Sequence, residues 1–127
     1  MGKVSRWVLY LAAAWNVLGG VLALLDPGKH FAQMYKGSLD LSDPLALFFF
    51  RCVWINVIAW GVAYALAAFW PSSRRTVLVA GGAGKLCYAA ACAALLGSGV
   101  AKPMVLVAAI IDTVFAAAFA AIVLRDR

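Results

Sequence analysis

Arg51, Lys85 and Asp112 each interrupt a long apolar run. A formal charge near the centre of a bilayer costs about 2.5 to 3.5 kcal/mol even on the lenient insertion scale, so such residues turn inward, find partners and mark a site. An opposed lysine and aspartate can pair, or desolvation can shift their pKa values and make them proton carriers. Surplus positive charge in the same place would attract a carboxylate or phosphate.

Four asparagine and tyrosine positions extend this set. Each apolar run carries a polar residue at similar depth: Asn16 in the first, Asn56 in the second, Lys85 in the third and Asp112 in the fourth. Lys85 lies about 12 Å from the inner end of its run at 1.5 Å per residue, too deep for its arm to reach water easily, so pairing with Asp112 is the cheaper solution. Tyr64 follows Asn56 and Trp60 at spacings of four. Tyr88 shares a helix face with Gly81, Lys85 and Cys92, from which its hydroxyl can be offered to the pair. Arg51 has two readings. It is about a turn and a half from the outer end of its run, so it either reaches the outer headgroups or points inward and leaves the cluster with an excess cation.

The runs that must position these residues set the class of the protein. Hydrophobic residues make up 66% of the 127, charged residues 13%, and the mean hydropathy is +0.95, values foreign to soluble domains. The length accommodates four spans of about 20 residues and no separate extramembrane domain. The expected fold is all-α: one transmembrane domain over 1–127, a four-helix bundle running up-down-up-down, with helices at about 7–25, 45–70, 77–96 and 103–124. Asp26-Pro27-Gly28 and Asp43-Pro44 punctuate the first two boundaries, Pro71 the third, and Gly97 through Pro103 the last. The long first connection, 26–44, places Phe31, Met34 and Tyr35 at helical spacing beside Lys29 and Lys36. A short interfacial helix and an irregular loop are both compatible with that pattern. The segment PSSRR reads as an inner turn.

Charge gives orientation. The net charge of +6 is not gathered into a tract or stripe, which argues against nucleic acid as a partner. Lys3, Arg6, Arg74, Arg75, Arg125 and Arg127 flank one side of the runs, whereas Lys29, Lys36 and Lys102 flank the other. The excess places both termini in the cytoplasm. The first run, Trp7 to Leu25, is too long for a signal-peptide core and is followed by no small-residue cleavage site, so it is read as a span.

Other chemistries lack their residues. Cys52, Cys87 and Cys92 match no zinc or redox spacing and read as small apolar groups. The single histidine, His30, lies in the outer connection, where a lone histidine is expected to be solvated; it excludes a bis-histidine haem and leaves no metal set. No cofactor is expected. GGAGK lacks the Walker residues and reads as helix packing. With no nucleophile or metal set in view, a non-enzymatic role is favoured over an intramembrane enzyme.

The segments AAWNVLGG, WGVAYALAA, GGAGKLCYA and DTVFAAAFAAIVLR, one from each helix, give the chain a further reading. It resembles a widespread class of small four-helix bacterial inner-membrane proteins and, more loosely, the DoxX-like bundles, through Arg51 ahead of a glycine-containing second helix. The resemblance implies a multi-pass protein of the bacterial inner membrane in which Asn16, Tyr64, Lys85 and Asp112 belong to one site. It supplies no activity.

Two expectations follow. In the first, the cluster of Asn16, Arg51, Asn56, Tyr64, Lys85, Tyr88 and Asp112 binds a small polar or anionic ligand or a lipid headgroup, in a role related to transport. In the second, the chain is an accessory or structural subunit whose charges hold helices together or meet a larger membrane partner. Close packing of Ala- and Gly-rich helices makes a homo-oligomer or a partner subunit expected in either case.

Overall fold

Proline and aspartate divide the chain into helices. The computed structural model describes residues 3–125, in which five helices account for most of the chain: α1 (Lys3–Leu25), α2 (Pro27–Met34), α3 (Pro44–Phe69), α4 (Pro71–Gly97) and α5 (Pro103–Arg125). Arg127, counted above among the basic residues flanking the spans, lies outside the described residues. The last four helices all begin on proline, whose fixed φ suits the first helical position and whose missing N–H would be unpaired there anyway. Asp26 and Asp43 cap α2 and α3, their carboxylates accepting hydrogen bonds from Lys29 N at 3.0 Å and Leu45 N at 3.1 Å. Four of the five helices are long and apolar enough to cross a membrane.

Two boundaries differ from expectation. The turn expected at PSSRR is helical: α4 starts at Pro71, and Trp70 alone separates it from α3. The proline that ends one helix is thus the N1 residue of the next, and Arg74 folds back over the joint, its Nε donating to the Ala67 carbonyl at 3.0 Å. In the long first connection, helix α2 occupies Pro27–Met34 and the rest is irregular.

Packing follows small residues. α1 lies along α3 and α4 along α5, and the two pairs meet chiefly through α3 and α4. At the α1–α3 crossing a Cβ added to Gly61 would lie 3.0 Å from the Ala13 carbonyl oxygen and 3.1 Å from Asn16 Cβ, a separation that only glycine permits. Two apolar cores result. Leu9, Tyr64, Leu78, Phe119 and Ile122 form one, and Met34, Cys92, Val105 and Ala108 belong to the other. On α4 and α5 the buried positions Lys85 and Asp112 fall between them.

The first connection is also tied to the last. Tyr35 and Ala101 form an antiparallel bridge, with Lys36 N donating to Val100 O at 2.7 Å and Lys102 N to Met34 O at 2.9 Å. The Lys102 ammonium adds a bond to the Ala32 carbonyl, which satisfies an end carbonyl of α2.

Candidate functional site

Lys85 occupies the face of α4 that bears Leu78 and Gly81, and Asp112 the face of α5 that bears Ala108 and Ala116. Those helices are neighbours because only five residues join them, and the lysine Nζ lies 2.5 Å from Asp112 Oδ1. Both residues are buried, at 5% and 7% exposure. The ammonium also donates to Asn16 Oδ1 at 3.0 Å, and the Asn16 amide in turn donates to the Val57 carbonyl of α3 at 3.2 Å. Asn16 is thus used from both ends, and one network spans all four long helices.

Aromatic rings complete the surroundings of the cation. Lys85 Nζ lies 5.6 Å from the centroid of Tyr64 and 5.4 Å from that of Phe115, within the range where a ring face attracts positive charge. Tyr64 reaches this position because Gly81, one turn before Lys85, leaves room for its ring. Tyr64 and Phe119 then pack at a tilt, with centroids 5.1 Å apart, on the side of the site toward one core.

The arrangement is electrically closed on the cationic side and open on the anionic side. Lys85 has three protons; two go to Asp112 and Asn16, and the rest of its charge faces two rings. Asp112 uses only one oxygen. Among the described residues its Oδ2 accepts no hydrogen bond, and the side chain keeps 11% of its surface accessible. What the site has to spare is a hydrogen-bond acceptor.

Of the seven candidate residues, the structure brings together Asn16, Tyr64, Lys85 and Asp112. Asn56 does not join them. It is exposed on α3, and the depth it shares with the others does not place it on the same face. The α3 contributions are instead Tyr64 and the Val57 carbonyl. Arg51 is exposed as well, and among the described residues it makes no ion pair or hydrogen bond, so the inward reading that would add a second cation is not realised. Tyr88 makes no hydrogen bond to the pair. It lines a shallow hollow of about 290 Å³ with Tyr35, Cys92, Leu95 and Val105.

Two contacts were not anticipated, one at the ion pair and one away from it. Phe115 is one of many apolar residues in α5, and only its position three after Asp112 marks it as a neighbour of the ion pair. His30, expected to be solvated, packs edge-on against Trp54 at 4.5 Å and beside Phe50 at 6.3 Å, with its Nε2 buried and unpartnered. Burial holds its pKa below the usual 6.5. The cysteines are unpaired, and among the described residues no group of three His, Cys, Asp or Glu side chains could hold a metal ion.

No family model, curated protein or solved structure matches this chain.

Proposed function

We propose that this chain is a four-span protein of the bacterial inner membrane. Its helices run up-down-up-down with both termini in the cytoplasm, and its buried cluster binds a small polar ligand or lipid headgroup through Asp112. The basic residues flanking the spans support the orientation. The observation that carries the site is the unused carboxylate oxygen beside a saturated lysine. A ligand that donates a hydrogen bond, an amine or a hydroxyl, complements that oxygen. An anionic ligand does not, because the surplus cation it required was to come from Arg51, which is turned away from the bundle. The site lies between helix pairs, a setting that suits a transport-related role.

The test is retention of a small molecule. Protein purified in mild detergent and examined by native mass spectrometry should carry a polar small molecule or an amine- or hydroxyl-bearing lipid. Asp112→Asn should lose it while keeping its helical circular dichroism. An unliganded wild type, or unchanged retention in the variant, would count against the reading.

A second reading has its own observation in its favour. Asp112 and Asn16 hold the Lys85 ammonium, and the Val57 carbonyl holds Asn16, across four helices without any ligand, as a purely structural clasp would. In that reading the chain is a non-catalytic accessory subunit, and the same preparation should bring down a larger membrane protein in fixed stoichiometry.

A further inference from the structure

The face of α3 opposite its buried side carries a pattern that the bundle leaves unused. Leu45, Phe49, Cys52, Asn56, Ala59 and Ala63 follow one another at spacings of four, three, four, three and four. That alternation is the spacing of a two-helix coiled-coil seam, and on a helix apolar all round it is Asn56 that singles this face out. Leu45 and Phe49 are each 60% exposed, Cys52, Asn56 and Ala59 are exposed, and Ala63 is partly so. Of the buried residues, Gly61 lies on the opposite side of the helix, against α1, and Tyr64 on its flank, against α4.

Asn56 gives the seam its meaning. It stands twelve residues after Pro44, about 18 Å along the helix and near its middle. Among the described residues its amide has no hydrogen-bond partner, and in a bilayer lipid tails offer none. In the alternation it takes the a position, with Cys52 and Ala59 at d. A single asparagine there specifies a parallel pair in fixed register, because each amide can donate to and accept from the other. Cys52, Ala59 and Ala63 are small enough to let two backbones approach closely.

We propose that α3 pairs along this seam with α3 of a second copy of the chain, Asn56 against Asn56, about a two-fold axis along the membrane normal. The partner is a second copy because an amide at a is self-complementary and two molecules inserted in the same sense present α3 in parallel, as a two-fold interface requires. Arg51 lies outside the seam. Seven residues from Pro44, it is within about 11 Å of the helix end and reaches the headgroups beside the pair. The proposal rests on the membrane-spanning reading above and is independent of what Asp112 binds.

Oxidative cross-linking in isolated membranes tests it. In a Cys87→Ala/Cys92→Ala background, a copper–phenanthroline oxidant should join two chains through Cys52. Val62→Cys, on α3 but off the seam and in a chain also carrying Cys52→Ser, should not cross-link. Asn56→Leu should lower the yield of Cys52-linked dimer about threefold or more, the loss expected for one intramembrane amide contact. Cross-linking at Val62→Cys in place of Cys52, a strictly monomeric protein by native mass spectrometry, or Cys52 joined to a different protein would overturn the pairing. Alkaline carbonate extraction of the same membranes separates the two readings. Release into the supernatant overturns the spanning topology itself, whereas retention with no Cys52 dimer overturns only the seam.

Discussion

The Tyr64 ring lies over Gly81 so closely that a Cβ built there would be 2.5 Å from Cε1 and 2.6 Å from the hydroxyl oxygen. This contact holds the ring beside Lys85. Gly81→Ala must push a rigid, buried ring out of place and should destabilise the protein by about 1 to 3 kcal/mol. Gly82→Ala provides the contrast. Its Cβ would meet Phe119 no closer than 3.8 Å, so the gain in helix propensity should leave stability unchanged or raised. Thermal unfolding of the two variants in one detergent compares them directly.

The ion pair should behave as a unit. Lys85→Met or Asp112→Leu alone strands a buried charge and should cost about 3 to 5 kcal/mol, whereas the double variant should recover much of that loss. Additive losses in the cycle, measured by denaturant titration in detergent, would show that the two groups do not act on each other.

The α1–α3 crossing should tolerate nothing larger than hydrogen at position 61. The groups that a new Cβ would meet include the Ala13 carbonyl oxygen, and backbone cannot yield as a side-chain tip can. Gly61→Val should drive α1 away from α3, carry Asn16 off Lys85, and lower the unfolding temperature well below that of Gly19→Val, since nothing lies within 4 Å of a Cβ at Gly19. A Gly61→Val protein as stable as the wild type would show that the two helices are free to part.

His30 should make the docking of α2 sensitive to acid. Its folded pKa is below 6.5, so the undocked state binds more protons between the two values. The contribution of the buried neutral ring is therefore complete above about pH 6.5 and is lost as the pH falls through the lowered folded value. Tryptophan emission should change as the pH falls below about 6.5 and the imidazolium leaves Trp54, and His30→Phe should abolish the change.

Run length and punctuation made the long helices legible, and the short link from Gly97 to Pro103 made the meeting of Lys85 and Asp112 legible too. Azimuth was harder to read. Position along a helix gives depth, but α3 is apolar around its whole circumference, so no polar stripe announces which side is buried. Asn56 and Tyr64 are eight residues apart and differ by about 80° around the helix, and only Tyr64 is covered, because α4 meets α3 near the joint at Trp70. The helical start of α4 was hidden for a related reason: Ser72, Ser73, Arg74 and Arg75 have turn-like composition, but after a proline at N1 they suit a first helical turn equally well. His30 was misjudged because its neighbours Phe50 and Trp54 come from a helix more than a dozen residues away.

The single-residue joint at Trp70 has a mechanical consequence. With a single extended residue between α3 and α4, the direction in which one rod ends dictates where the next begins. Because α4 packs far more extensively on α5 than on α3, a residue inserted there would shift the α4–α5 pair as one body and part the ammonium from Asn16 of α1 rather than from Asp112. The alignment of one half of the bundle against the other is thus set by the length of a one-residue joint at its rim.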